Sequence, residues 1–248
     1  MKAMIFAAGL GTRLRPLTDD RPKALVEVAG RTMLELTLAR LRAFGIVEAV
    51  VNTHHYGDRI AEYLHGHSNF GMSITLSHEP MLLDTGGGLK NAAWYFLDSE
   101  ADRDADFVVH NVDILSTIDM AQMIRQHTST NALATLGVQR RASSRQLLFD
   151  SGGQLCGRQT GSETQLVRQA ADTQAQAFSG IHVVSTRIFE KLTEQGAFPI
   201  IDAYLRLAGE GEGILAFQAG DAYWRDLGRP ESIQQAAGDI ASGRYKAP

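Results

Sequence analysis

The sequence predicts an α/β fold, Rossmann-like, with a mostly parallel sheet and helices on both faces. Three observations predict it. Short apolar runs alternate with helical periods through about residue 139, the order of strand–helix–strand units that pair in parallel. Glycines and polar residues gather where those runs end, and sheets of this kind bind ligands beyond their strand carboxyl ends. From about residue 140 to 225 the alternation yields to a hairpin pattern and short strands, predicting a small sheet-rich lobe inserted in the same domain.

The elements follow in order. Residues 3–8 form a short buried strand. Residues 33–44 are helical, with Leu34, Leu38 and Leu41 on one face. A strand at 49–53, a helix at 56–65 and a strand at 72–77 come next. Three glycines, Gly86 to Gly88, read as a turn leading a helix at 89–97. Residues 106–113 (DFVVHNVD) are a buried strand with a polar end. Asp119 suits the N-cap of a helix reaching His127, and 132–139 is a further strand. Gln146 to Asp150, then Ser151-Gly152-Gly153 and Leu155, read as a hairpin. The rest comprises a strand at 178–185, helices at 187–193 and 201–208, and short strands at 214–218 and 223–225. A closing helix at 230–242 has Pro230 at its start. With no linker or repeat in view, residues 1–248 are expected to form one domain.

Composition bounds the function. The chain has 248 residues and a formal net charge of −4, so no global basic field points to nucleic acid or an anionic membrane. Cys156 is the only cysteine, which excludes an internal disulfide and gives a zinc site no Cys pair. No apolar run approaches the roughly 20 residues that span a bilayer. The N-terminal apolar run is too short for a secretory core. A cytoplasmic protein is expected, either monomer or homodimer. The histidine pairs His54-His55 and His65-x-His67 are not expected to make a metal site: adjacent strand residues such as His54 and His55 point oppositely, and no cysteine joins either pair.

The stretch FAAGLGTRLRPLTDDRPKALVEVAG, residues 6–30, carries the chemistry. It lacks the Gly-Lys-Ser/Thr of a Walker loop. A dinucleotide fingerprint would place a third glycine where Leu14 stands, and Pro16 and Pro22 forbid the long helix it needs. Gly9 and Gly11 instead allow backbone N–H groups to approach a phosphate. Arg13 and Lys23 supply positive charge where phosphoryl charge develops. The two prolines keep the segment stiff, so it loses less entropy on closing around a polyanion.

Residues 7–25 resemble the signature of the sugar-1-phosphate nucleotidyltransferases. The similarity continues along nearly the whole chain, with order and spacing kept. Residues 82–89 (LLDTGGGL) look like that family's nucleotide-base loop. Residues 109–113 (VHNVD) look like its strand ending in a metal-binding aspartate. Residues 178–181 (FSGI) resemble its sugar-lobe strand, and 224–231 (WRDLGRPE) its W-x-D-[VIL]-G-x-P-E element. The resemblance implies a GT-A-like nucleotidyltransferase fold, with a nucleotide-binding part at about 1–139 and a sugar lobe at about 140–225.

It also implies roles. Arg13 would contact the β/γ phosphates of a nucleoside triphosphate, and Lys23 the α-phosphate and the attacking phosphate; Arg15 would be peripheral. Asp113 and Asp226 would hold Mg²⁺, an ion that takes few protein ligands and completes its shell with phosphate oxygens. The nucleotide set is Ala7, Ala8, Gly9, Gly11, Thr12, Arg13, Asp84, Thr85, Gly86 and Gly87, with Glu79 a further base contact. Asn52 is either a substrate contact or a plain strand-end residue. The sugar set is Asn111, Glu163, Ser179 and Gly180. Two departures stand out: Val112 replaces the glycine usual before the metal aspartate, and the Glu-Lys-Pro element before the sugar strand is missing, with Glu163 its nearest substitute. The cluster Arg140, Arg141 and Arg145 reads as a solvated turn.

The expected reaction is transfer of a nucleotidyl group from an NTP to a sugar 1-phosphate, releasing pyrophosphate. The chain has no C-terminal acyltransferase repeat, so a single activity is expected. Within the family it most resembles N-acetylmuramate-1-phosphate uridylyltransferases, which points to UTP and to peptidoglycan-sugar recycling. Mannose-1-phosphate guanylyltransferase and glucose-1-phosphate thymidylyl- or uridylyltransferases are the alternatives. A non-catalytic sugar-nucleotide-binding regulator is the alternative of another class, and retention of Arg13, Lys23, Asp113 and Asp226 weighs against it.

Overall fold

A computed structural model describes residues 1–246. Ten strands form one sheet. The first part of the chain supplies β1 (Lys2–Phe6), the separate ribbon strands β2 (Glu27–Val28) and β3 (Arg31–Thr32), α1 (Met33–Ala43), β4 (Glu48–Thr53), α2 (Gly57–Gly66), β5 (Ser73–His78), α3 (Asp84–Asn91), α4 (Ala93–Phe96), β6 (Asp106–Asn111), β7 (Ile114–Ser116), which pairs outside the large sheet, α5 (Met120–Thr130) and β8 (Ala134–Gln139). The lobe adds β9 (Arg145–Phe149), β10 (Leu155–Thr160), β11 (Glu163–Leu166) and the long β12 (Gln174–Ser185). Then come α6 (Ile188–Lys191), α7 (Ile200–Gly209), β13 (Ile214–Gln218), β14 (Trp224–Asp226) and α8 (Pro230–Ala241).

The strands β6, β1, β4 and β5 are parallel neighbours. The long β12 runs antiparallel to β6, β8 and β9 and carries the sheet into the lobe, so the sheet as a whole is mixed. Period-two alternation sends Ala3 and Ile5 to one core and Met4 and Phe6 to the other. Helices α1, α5 and α8 cover the first core, and α3, α4 and α7 cover the second. The caps read from sequence are present: Asp119 accepts from the Gln122 N–H at 2.9 Å, and Pro230 opens α8.

Two expected elements differ. The glycines of residues 86–88 form no loop ahead of a helix; they lie inside α3, buried. Residues 163–166, which carry no apolar period, add the exposed edge strand β11, because hairpin pairing with β10 satisfies their backbone.

Two buried histidines join the sheet across β6 and β12. His110 lies beside Ile181 and His182 beside Val109. Burial holds His110 down to about 4, assisted by the charge of Arg40, and burial holds His182 down to about 3. Both stay neutral in the fold, while in the unfolded chain they titrate near 6.5. The unfolded state therefore binds more protons as pH falls below about 6.5. Stability should drop by about 1.4 kcal/mol per pH unit for each histidine, down to the folded-state values. Urea unfolding at pH 7 and pH 5 measures this. Replacing His182 by Gln should flatten the slope, and an unchanged slope would remove that histidine as a cause.

Candidate active site

The register of the parallel strands fixes the site. Phe6, the last residue of β1, lies between Asn52 of β4 and Asn111 of β6. The three strand ends therefore open at one level. A crevice of about 430 Å³ begins there, walled by Phe6, Ala7, Ala8, Gly9, Lys23, Asn52, Glu79, Asp84, Thr85 and Asp113 among others. Asn111 also borders a second cavity, of about 1030 Å³, that runs into the lobe and includes Gly180, Glu163, Trp224 and Asp226.

A buried hydrogen-bond chain shapes the crevice floor. Asn52 Oδ1 accepts the N–H groups of Ala7 and Ala8 at 2.7 and 3.3 Å. Its Nδ2 donates to Glu79 Oε1 at 2.7 Å, and Glu79 Oε2 accepts the Leu83 N–H at 3.0 Å. Glu79 is fully buried. Asn52 and Glu79 thus tie the end of β1 to the segment entering α3, and the amides of Ala7 and Ala8 are already used.

The signature loop closes on Gly11. Its φ of +65° lies in the left-handed region that favours glycine, and its carbonyl accepts the Thr18 hydroxyl at 2.9 Å. Thr12 and Arg13 continue in a 3-10 turn, Thr12–Leu14. Gly11, Thr12 and Arg13 do not wall the crevice. Arg13 reaches the opposite rim instead: a Cβ placed on Gly228 would meet Arg13 Nη2 at 2.9 Å and Asp226 Oδ1 at 2.7 Å. Gly228 therefore lets this cation and this carboxylate approach the same point. Arg15 is exposed and paired with Asp19 at 3.5 Å, away from the crevice.

Lys23 and Asp113 form an ion pair on the crevice wall. Asp226 is brought to Asp113 by backbone pairing. Asp226 of β14 lies opposite Ile114 of β7, and the Leu227 N–H donates to the Asp113 carbonyl at 2.8 Å. Asp226 Oδ1 also accepts the Gly228 N–H at 2.6 Å. Residues separated by more than a hundred positions thus meet at the seam between the two cavities.

Other sequence-assigned residues fall differently. Asp84 and Thr85 wall the crevice. Asp84 has φ +57°, an uncommon conformation for a non-glycine residue that recurs at functional sites. Gly86 and Gly87 do not reach the crevice; a Cβ on Gly86 would lie 2.2 Å from the Phe198 ring, and one on Gly87 2.5 Å from the Gly196 carbonyl. Their absent side chains let α3 pack closely against residues 196–198. Asn111 and Gly180 border the lobe cavity, and Glu163 does so from β11. Ser179 lies deeper: its hydroxyl is fully buried without a partner among the described residues and does not line the cavity. Its carbonyl accepts the Trp224 indole N–H at 2.9 Å.

Arg141 is the residue that sequence reasoning missed. It is no solvated turn arginine. Its guanidinium lies 3.4 Å from the centre of the Trp224 ring, donates to the Phe178 carbonyl at 2.6 Å, and lines the lobe cavity. Burial lowers its pKa, and the charge of Asp226 opposes that shift. No spacing in the sequence signals this, because its partners lie 37 or more positions away.

A crevice at parallel strand ends, an antiparallel lobe with a cavity adjoining it at Asn111, and Asp113 and Asp226 brought near each other by backbone pairing fit a nucleotidyl-transfer enzyme. The family model for nucleotidyl transferases matches residues 2–147. The chain is 30% identical to the N-acetylmuramate alpha-1-phosphate uridylyltransferase of Caulobacter vibrioides, over 96% of each chain. It is 28% identical to the mannose-1-phosphate guanylyltransferase of Mycobacterium tuberculosis, over 99% of this chain and 66% of that protein. Among solved structures, HddC from Yersinia pseudotuberculosis complexed with GMP-PN superposes with a TM-score of 0.74 at 22% identity, over 96% of this chain and 99% of that one. The inositol-1-phosphate CTP transferase from T. maritima gives 0.74 at 15% identity, over 98% and 96%. The chain belongs to the nucleotidyl transferase family, as a member of its sugar-1-phosphate nucleotidyltransferases. Among the described residues no helix is long and apolar enough to cross a membrane.

Proposed function

We propose that this enzyme transfers a uridylyl group from UTP to N-acetylmuramate 1-phosphate, releasing pyrophosphate. The carrying observation is the seam at Asn111, where the strand-end crevice meets the larger lobe cavity, with Asp113 on one side and Asp226 on the other. A triphosphate seated at the strand ends and a sugar phosphate entering from the lobe would meet at that seam. The choice of sugar and base is supported by the Caulobacter relative, which matches this chain nearly end to end.

The sugar phosphate is a competent nucleophile without a general base, because the second pKa of a phosphate monoester is about 6. The protein's task is then alignment and charge neutralisation. Lys23 presents an ammonium on the crevice wall, and Arg13 a guanidinium at the rim beside Asp226. Asn52 and Glu79 hold the floor rigid, so little reorganisation accompanies binding.

The residues present suit Mg²⁺. Asp113 already carries a cation, the Lys23 ammonium, and Asp226 is fixed beside it by backbone pairing. Among the described residues no set of three or more acidic, His or Cys side chains gathers, so two carboxylates and substrate oxygens would make up the shell. Bound there, the ion would offset charge on the reacting phosphates.

The test is pyrophosphate release with Mg²⁺, pairing UTP, dTTP, GTP and CTP with the 1-phosphates of N-acetylmuramate, N-acetylglucosamine, glucose and mannose. The highest kcat/KM is expected for UTP with N-acetylmuramate 1-phosphate. A higher value for another pair replaces the substrate assignment. Silence with every pair, together with binding of a sugar nucleotide, replaces the enzyme by a regulator.

A further inference from the structure

Three arginines line the lobe cavity, and they differ in what they face. Arg158 is neutralised by Asp202 at 2.5 Å. Arg141 is stacked on Trp224, bonded to the Phe178 carbonyl and influenced by Asp226. The Arg145 side chain has no carboxylate, carbonyl or aromatic partner among the described residues.

The position of Arg145 follows from strand register. Arg145 of β9 lies opposite Thr160 of β10, and Thr160 lies opposite Glu163 of β11. Cross-strand partners share a face of the sheet. All three border the cavity. They make a polar row with a cation at one end, a hydroxyl in the middle and a carboxylate at the other. A sugar with a negative substituent would be drawn to Arg145 and repelled by Glu163, so the row sets its orientation as well as its affinity.

We infer that Arg145 is a specificity-determining residue that binds a carboxylate carried by the sugar ring, distinct from the phosphate at its C1. The preferred substrate class is thus an acidic sugar 1-phosphate. The inference rests on the proposed reading of this cavity as the sugar site. A neutral sugar offers Arg145 no charge beyond the C1 phosphate, which the proposed reading seats at the Asn111 seam, and a charge-assisted hydrogen bond discriminates between acidic and neutral rings far more than a neutral one does.

N-acetylmuramate and N-acetylglucosamine 1-phosphates differ by one lactyl ether bearing a carboxylate, and serve as the probes. Each is titrated calorimetrically into the wild-type chain, Arg145→Ala and Arg145→Lys, and each is assayed for pyrophosphate release with UTP and Mg²⁺. Wild type should bind the acidic sugar more tightly. Arg145→Ala should weaken that binding by about 10- to 100-fold and leave the neutral sugar within about 2-fold. The kinetic loss should fall on KM and leave kcat largely unchanged. Arg145→Lys should recover part of the preference, since it keeps the charge and loses the fork. Equal losses for both sugars, no loss for either, or a wild-type preference for the neutral sugar would overturn the inference. Binding decides it independently of turnover: an Arg145-dependent preference without pyrophosphate release would keep the carboxylate site and remove the reaction. Release with neutral sugars alone would do the reverse.

Discussion

Asp113→Asn should lower nucleotidyl transfer by about 10²- to 10³-fold and leave the fold intact. The asparagine keeps the shape of the side chain and removes its charge. The backbone pairing here is unaffected, because the Asp113 carbonyl, not its carboxylate, accepts the Leu227 N–H. Two things are lost together. Lys23 loses the carboxylate it pairs with, and the seam keeps only Asp226 to balance its cations. An interaction that matters mainly as phosphoryl charge develops lowers kcat more than it raises KM. Initial rates of pyrophosphate release, with circular dichroism and thermal unfolding alongside, measure both sides. A rate near wild type would take Asp113 out of the chemistry. An unfolded variant would instead make the Lys23–Asp113 pair a structural clamp.

Gly86→Ala should cost about 1–3 kcal/mol of stability, the range for overfilling a packed site. The added Cβ would fall 2.2 and 2.4 Å from two Phe198 ring carbons and 2.8 Å from the Phe198 carbonyl. The ring can turn, but the carbonyl belongs to backbone that accepts the Gly86 N–H at 2.8 Å. Relief therefore requires α3 to move off the 198–200 segment, which also holds Thr85 through the Ile200 N–H. At about 2–4 °C per kcal/mol for a chain of this size, the midpoint should fall by roughly 2–12 °C. Gly9→Ala is the contrast: no atom lies within 4 Å of a Cβ there, so its midpoint should stay within about 1 °C. An unchanged midpoint for Gly86→Ala would mean that the helix and the 198 segment are not tightly packed.

Much of the first half of the chain was legible because its signals are local. Apolar runs of four to six residues, a capping aspartate at Asp119 and a helix-opening Pro230 each act within a few positions. Gly9 and Lys23 belong to one continuous signature, and both wall the crevice. The glycines at 86–88 are ambiguous in sequence because two different demands select the same residue. A phosphate or base approaching the backbone calls for glycine, and so does a helix packed against a carbonyl and a ring. Only the position of Phe198 separates the two.

Local pattern and side-chain chemistry specify the alternating strands and helices and the cation-rich loop, whereas Asp113 and Asp226 are linked in the sequence only by resemblance to the family. Tertiary structure decided which of them meet. It paired Lys23 with Asp113, brought Arg13 beside Asp226 across Gly228, turned Ser179 into the core, and stacked Arg141 on Trp224. Those relations depend on the register of β12 against β6 and of β14 against β7. Register is set by the packing of whole strand faces, which no short stretch of sequence encodes.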